Sequence, residues 1–483
     1  MGGLKLSFRA KMGGSKLSFR AGSAKISVGE IVMESIEKHF KRKLYQKLVD
    51  WKERSKGRTA VLVEGARRVG KSTVVEDFAK TEYESYILID FNVAPQEIVG
   101  LFSDSRDDLD TIFHALELYY KVKLIERRSV IIFDEVQRCP MARSLIKYLV
   151  ADGRYDYIET GSLISLRKNV QDIIIPSEEE RIQMFPMDFE EFLWAIGDET
   201  TMPFLKTKFL QNEKVGAMHR KIMKDFRTYL LVGGMPQAVV GYLDGNNFEI
   251  ADRIKRSILS LYHEDIHKYA DGNDEKVVAI FDGIPGQLSK GNKRFTLASI
   301  SENARSRSYE EAFNWLDESM IVNMCFNVTD PSVGLALTEQ VTNAKCYLVD
   351  TGLLVTQAFL NKPYLDNEIY RAILLDKLNI NEGMIVENYV AQALRMGGYR
   401  LYFYTSNDDV ARKNDMEIDF LISKDNKLNP IEVKSGEYYR HSSIDKFKQK
   451  FGKKVGVRYV LHPKDLRVEG DLVYLPLYMT MFL

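Results

Sequence analysis

Only three of the 483 residues are cysteine, Cys139, Cys325 and Cys346, and no C-x-x-C pair occurs among them. That spacing excludes a zinc ribbon or a disulfide framework and predicts three buried, inert thiols in a cytoplasmic setting. The chain also lacks any run approaching the about 18 apolar residues that a membrane-spanning helix requires, so no membrane is expected as a partner. Net charge is missing too: 68 Lys and Arg balance 68 Asp and Glu. No global field draws the chain to nucleic acid, and any such contact must come from a local patch. What is present, 45% hydrophobic and 28% charged residues, is the composition of a globular protein. The length is too great for one core and predicts about three domains.

The first 32 residues are set apart by repetition. Lys-Leu-Ser-Phe-Arg-Ala occupies 5–10 and returns at 16–21, each copy following a Gly-Gly pair. A basic, acid-poor leader imitates a transit peptide, but the tandem duplicate reads as a non-native leader or a translated upstream segment. Residues 1–32 are therefore excluded from the fold, and Met33 is the candidate start. From Glu34 to Trp51, apolar Ile36, Phe40, Leu44 and Leu48 recur every four residues. This predicts an amphipathic helix within a first segment at 33–58, with no visible chemistry of its own.

Gly65-Ala66-Arg67-Arg68-Val69-Gly70-Lys71-Ser72 fits G-x-x-x-x-G-K-[ST] and stands between the apolar run Ala60–Val63 and an amphipathic stretch from Thr73 to Lys80. Strand, loop and helix are the context that makes this pattern a P-loop. Its glycines let backbone N–H groups close on phosphate oxygens, and the positive end of the following helix adds to their pull. Gly65, Arg67, Arg68, Val69, Gly70, Lys71, Ser72 and Thr73 are the candidate ATP-binding residues. Lys71 would reach the β- and γ-phosphates, and the Ser72 hydroxyl would bind Mg²⁺.

Tyr86–Phe91 reads as a second strand, Asp107–Glu126 as a helix, and Ser129–Phe133 as a buried strand ending in Asp134 and Glu135. This is a Walker B pattern, with Asp134 on Mg²⁺ and Glu135 placed as general base for the attacking water. An extra strand between the P-loop strand and Walker B is typical of the ATPases that include AAA+ proteins. A fourth strand, Tyr155–Glu159, runs into Thr160-Gly161-Ser162, where Thr160 and Ser162 are both candidates to sense the γ-phosphate; Ser162 could equally be a helix cap. Arg181–Met187 is the fifth strand.

These features, with Asp-Glu-Val-Gln at 134–137, Phe-Pro-Met-Asp-Phe-Glu-Glu-Phe at 185–192 and Gly-Gly-Met-Pro at 233–236, resemble the archaeal and bacterial AAA-type ATPases that carry a C-terminal domain of unknown function. The resemblance spans residues 40–465 and implies an α/β chain with a RecA-like AAA+ core on a parallel sheet, a winged-helix-like middle module and a restriction-endonuclease-like α/β end. It implies no substrate. The expected boundaries are 59–225 for the ATPase domain, 226–276 for a helical lid, 277–360 for the winged-helix-like module and 361–483 for the nuclease-like domain. Arg181 matches a recurring arginine of the family that either contacts phosphate or makes a salt bridge. AAA+ relatives often borrow a neighbour's arginine, so a homo-oligomer is an expectation, with Arg143, Arg154 and Arg181 unranked for that role.

His263-Glu264-Asp265-Ile266-His267 fits the H-E-x-x-H helix of zinc proteases, but no third ligand stands near it in sequence: His219 and His441 are remote. In the winged-helix-like module, helices are expected at 277–288, 297–304 and 309–319 and a strand at 320–327. The third helix carries Glu310, Glu311, Asp317 and Glu318 without a Lys or Arg, which favours a protein contact over base reading.

The C-terminal order of helix 382–395, strands 399–404, 416–422 and 430–434, helix 442–451 and strand 455–461 is that of the PD-(D/E)XK nuclease core. Asp419 and Glu432 are the expected Mg²⁺ ligands, brought together by a hairpin through Asp425-Asn426. Glu387 on the preceding helix matches the superfamily's extra acidic position, and Lys434 would orient or activate the attacking water. Period-two alternation puts Glu432 and Lys434 on one face. Between Arg440 and Arg467, nine Lys or Arg face two acids, a net of +7, so nucleic acid is the expected partner of this region. The sequence thus predicts an ATP- and Mg²⁺-dependent ATPase that governs a nuclease-like end acting on or binding nucleic acid. A signalling or scaffold ATPase with an inactive nuclease-like binding domain is the alternative.

Overall fold

The computed structural model describes residues 39–483 except 105–107, 163–176, 271, 291–292, 296–305, 333, 363–364, 375–381, 409–412 and 437–441. The duplicated leader, the expected 297–304 helix and His441 therefore lie outside the described residues.

Strand β1 (Ala60–Glu64) is apolar up to its last position because both of its faces are covered. Val61 and Val63 belong to one hydrophobic core, Ala60 and Leu62 to another on the opposite face. With β2 (Ser85–Asp90), β3 (Ser129–Asp134), β4 (Asp156–Gly161) and β5 (Glu179–Gln183) it forms a parallel sheet in the order β2-β3-β4-β1-β5. The extra strand β4 lies between the P-loop strand and the Walker B strand, so the C-terminal ends of β1, β3 and β4 open side by side. Ligands of open α/β sheets bind at those ends.

Two helices differ from expectation. The first begins at Lys43, not Glu34, because Arg42 is extended and its buried guanidinium is drawn down to the carbonyls of Val69 and Phe185, both at 2.8 Å. The stretch expected as one helix over 107–126 starts at Leu109, where Asp108 caps the Thr111 N–H, and stops at Tyr120, where Lys121 turns left-handed. A separate helix, Gln96–Asp104, precedes it.

In the C-terminal half, β6 (Val322–Val328) pairs antiparallel with β7 (Glu339–Leu348) and parallel with β8 (Leu401–Asp408), which pairs antiparallel with β9 (Lys413–Ile418). Strand pairing therefore crosses the boundary expected at 360, and the middle module shares a sheet with the end it was expected to precede. A second sheet takes β10 (Phe420–Lys424), β11 (Lys427–Val433), β12 (Arg458–His462), β13 (Arg467–Glu469) and β14 (Leu472–Pro476) in the order β10-β11-β12-β14-β13.

The strand expected over 416–422 is broken at Asp419, where the chain leaves one sheet for the other. There the Asp419 carboxylate accepts the Val433 N–H at 2.8 Å. The β10–β11 turn through Asp425 and Asn426 has φ of 52° and 57°, the pair of left-handed residues that a two-residue hairpin needs.

Candidate functional site

Burial and hydrogen bonding build the first site around Lys71. Its Nζ is buried and donates to the carbonyls of Gly65 at 3.0 Å and Ala66 at 3.1 Å, inside the loop it terminates. Burial pulls this ammonium below the ordinary lysine range, with Glu135 and Asp134 opposing. Gly65 is required by space, since a Cβ there would lie 2.3 Å from the Met184 carbonyl oxygen. Gly70 is required by its φ of 95°.

The loop, together with Walker B, walls a cavity of about 560 Å³ that Arg67, Arg68, Gly70, Lys71, Ser72 and Thr73 line on one side. Asp134, Glu135 and Ser162 line the other side. Ser72 Oγ donates to Asp134 Oδ1 at 2.7 Å, and Thr160 Oγ1 donates to the same oxygen while accepting the Glu135 N–H at 3.3 Å. Of the two sensor candidates, Thr160 is buried beneath Asp134 and Ser162 faces the cavity. Glu135 is held left-handed at φ 54°, and Gln137 Nε2 donates to its carboxylate. A hydroxyl and a carboxylate in contact beside a phosphate-sized cavity fit Mg²⁺, which takes one or two protein ligands alongside substrate phosphates and water.

Several residues of this site left little trace in the sequence. Arg42 braces the loop through Val69 and also pairs with Glu191 at 3.1 Å. The helix Phe248–Tyr269, which bears the H-E-x-x-H pattern, supplies Glu264 and Asp265 to the cavity wall. Asp265 pairs with Arg67 at 3.1 Å and Tyr262 OH donates to the Arg67 carbonyl at 3.1 Å. The two histidines of that pattern turn away from each other's reach: His263 pairs with Asp282 at 2.7 Å and His267 with Asp274 at 3.0 Å. His219 instead bonds Tyr478 OH at 2.7 Å. Pro236 and Gln237 also line the cavity, just after Gly234, whose N–H donates to Asp350 at 2.6 Å.

Of the three arginines considered for a neighbour's site, Arg143 is buried against Glu179 at 3.0 Å. Arg154 pairs with Asp152 at 2.8 Å and Asp110 at 2.6 Å. Arg181 pairs with Glu179 at 3.0 Å and does not line the cavity.

The second cluster gathers around a residue that the sequence did not single out. Lys345, on β7 and fully buried, places its Nζ 3.0 Å from Glu417, 3.4 Å from Glu387 and 3.8 Å from Asp419. Lys293 and Tyr347 OH also bond the Glu387 carboxylate. Burial pulls the Lys345 ammonium down, but Glu387, Glu417 and Asp419 outweigh it and hold the group well above the ordinary lysine range. Burial and the charge of Glu387 push Asp419 above the usual carboxylate range. Glu432 and Lys434 share a face as expected and bond each other at 2.8 Å. Among the described residues no three His, Cys, Asp or Glu side chains converge as a metal cage.

The basic stretch is partly neutralised: Arg458 pairs with Asp445 at 2.5 Å and Asp471 at 2.9 Å, Lys448 with Asp471 at 3.0 Å, and Arg467 with Glu469 at 3.3 Å. Among the described residues no helix is long and apolar enough to cross a membrane.

Comparison with known proteins divides the chain in three. Residues 57–193 match an AAA domain model, residues 223–364 a domain of unknown function (DUF8612), and residues 382–479 a second domain of unknown function (DUF4143). No curated protein matches. Similar solved structures include the crystal structure of Cdc6p from Pyrobaculum aerophilum, 12% identical, covering 72% of this chain and 97% of that one at a TM-score of 0.25. Another is the Aeropyrum pernix ORC1 protein in complex with DNA, 12% identical, covering 66% of this chain and 92% of that one at a TM-score of 0.24. At such TM-scores the strand order, not these two structures, identifies the fold. Residues 57–193 thus match an AAA domain and carry a P-loop on a parallel sheet, and the two stretches that follow match domains to which no function is assigned.

Proposed function

We propose that the chain binds and hydrolyses ATP at the P-loop cavity and that its nucleotide state is read out by the nuclease-like end. The observation that carries this reading is the convergence of Lys71, Ser72, Asp134, Glu135 and Ser162 on one cavity at the C-terminal ends of β1, β3 and β4. Lys71 would exchange its two loop carbonyls for phosphate oxygens. Ser72 and Asp134 would hold Mg²⁺, which neutralises phosphate charge when bound. Glu135, positioned by Gln137 and by the bond from its own N–H to Thr160, would take the proton of the attacking water.

ATP turnover by purified protein tests this. Glu135→Gln is expected to keep nucleotide binding and lose about 10²-fold or more in turnover, the usual share of a general base. Lys71→Ala is expected to weaken binding itself. Unchanged hydrolysis in the Glu135→Gln protein would remove that residue from the role.

For the C-terminal end, cleavage of nucleic acid and binding without cleavage were both open. Binding is the reading favoured here, because the Lys345 ammonium lies 3.4 Å from Glu387 and 3.8 Å from Asp419, two of the three carboxylates expected to hold the metal. The basic residues after 440 remain the proposed contact with phosphate backbone.

A further inference from the structure

We infer that Lys345 takes the place of a divalent cation in the nuclease-like end, so that this end performs no metal-dependent phosphodiester cleavage. The inference rests on the binding reading above and names the residue responsible for it.

Magnesium is held by oxygens at about 2.0–2.1 Å in a near-octahedral shell. An ion held by Glu387 and Asp419, two of the three carboxylates expected to bind it, would have to sit between them. Lys345 Nζ is there instead, 3.4 Å from Glu387 and 3.8 Å from Asp419, and 3.0 Å from Glu417. The ammonium is built into the fold. Lys345 pairs across the sheet with Cys325 on β6, its side chain is fully buried, and its Nζ lies over the Phe403 ring at 5.0 Å.

Charge leads to the same conclusion. Three lysines, Lys293, Lys345 and Lys434, face four carboxylates, Glu387, Glu417, Asp419 and Glu432. A metallonuclease keeps an excess of acid for its cation; here most of that excess is already balanced. The carboxylates are also directed elsewhere. One Asp419 oxygen accepts the Val433 N–H at 2.8 Å, and Glu432 bonds Lys434 at 2.8 Å. The residues therefore do not fit the metal that the motif implies, and without a Lewis acid the Lys434 ammonium has no bound water to activate.

Mn²⁺ titration of the nucleotide-free full chain, followed by electron paramagnetic resonance, tests this. The expected result is that any wild-type Mn²⁺ binding is lost in Asp134→Asn and unaffected by Asp419→Asn. Wild-type binding that Asp419→Asn abolishes and Asp134→Asn leaves intact would overturn the inference.

Lys345→Gln is expected to gain Mn²⁺ affinity of about tenfold or more, dependent on Asp419. A folded Lys345→Gln protein with no such gain contradicts the inference, and if this variant does not fold the wild-type titration decides alone. Binding of a fluorescent DNA in EDTA tests the separate reading. Loss of that binding would reject nucleic acid as the partner and leave the metal result standing.

Discussion

Arg42 shows how a residue without chemistry of its own can shape a site. Its guanidinium reaches 143 residues along the chain to Phe185 and clamps Val69 of the P-loop on the way. Because it is paired with Glu191 at near-complete burial, Arg42→Ala leaves a buried carboxylate uncompensated. A loss of about 3 kcal/mol is expected in urea denaturation. A loss below about 1 kcal/mol would place the pair among those that contribute little.

Glu159 makes a second prediction. Burial first, then the charge of Glu179, holds its carboxyl well above the ordinary glutamate range, with Arg143 opposing. The folded state keeps a proton that the unfolded state sheds, so the stability from this group is complete at low pH and declines as pH rises through the raised value. Glu159→Gln keeps the neutral form at every pH. Between about pH 5 and 8 its denaturation midpoint is expected to fall less with pH than that of wild type, and identical slopes would contradict the assignment.

At this scale legibility depended on distance in sequence. Lys71, Ser72, Asp134 and Glu135 were readable because a fixed local pattern carries them. Arg42, Asp265 and Lys345 were not, because their partners lie far off: Asp265 is 198 residues from Arg67, and Lys345 is 42 from Glu387. Lys345 had one local signal, a charge inside the otherwise apolar stretch Ala344–Val349 of a strand and its end.

Among the elements, the β10–β11 hairpin sets the geometry of the carboxylate cluster. Its two-residue turn holds Asp425 and Asn426 left-handed, and Phe420 pairs with Ile431 as a result. Replacing both turn residues with alanine should cost about 1–2 kcal/mol per left-handed position. Replacing them with Asn-Gly should be neutral or stabilising, since that pair favours the same turn. Equal denaturation midpoints for the two variants would argue against the turn as the determinant of register.

Elements of strong period were legible, including the first four parallel strands, the helix expected over 277–288 and the hairpin itself; the fifth strand, expected over Arg181–Met187, spans Glu179–Gln183 instead. The break at Asp419 was not, because apolar Met416, Ile418 and Phe420 alternate with Glu417 and Asp419 straight through it, with no turn residue to hint that the chain changes sheets there. The sharing of a sheet by β6 and β8 was equally hidden. Strand pairing across the 72 residues of chain between Val328 and Leu401 is a tertiary property that periodicity does not carry.

In the whole molecule, one hydrophobic core runs from Leu44 beside the P-loop helix to Leu483 at the C-terminus. Two polar links join the nucleotide cavity to the C-terminal half through it. In one, Gly234, two residues before the cavity residue Pro236, donates to Asp350, which also caps the helix Thr351–Ala358. Asp350 stands two residues past the end of β7, the strand that carries Lys345. In the other, the helix Phe248–Tyr269 meets the loop through Asp265 and Arg67. Farther back along it, Asp252 accepts from Thr356 at 2.8 Å and from Tyr370 at 3.0 Å. If ATP fills the cavity as proposed, its phosphate charge would meet the Asp265–Arg67 pair and would bias the position of that helix.

The measurement that tests this most directly is amide hydrogen exchange on the Glu135→Gln protein with and without ATP and Mg²⁺. Nucleotide is predicted to change protection in Phe248–Tyr269 and in Thr351–Ala358 as well as in the loop. Protection confined to residues 65–72, with both helices unchanged, would contradict a nucleotide switch read out by the C-terminal end.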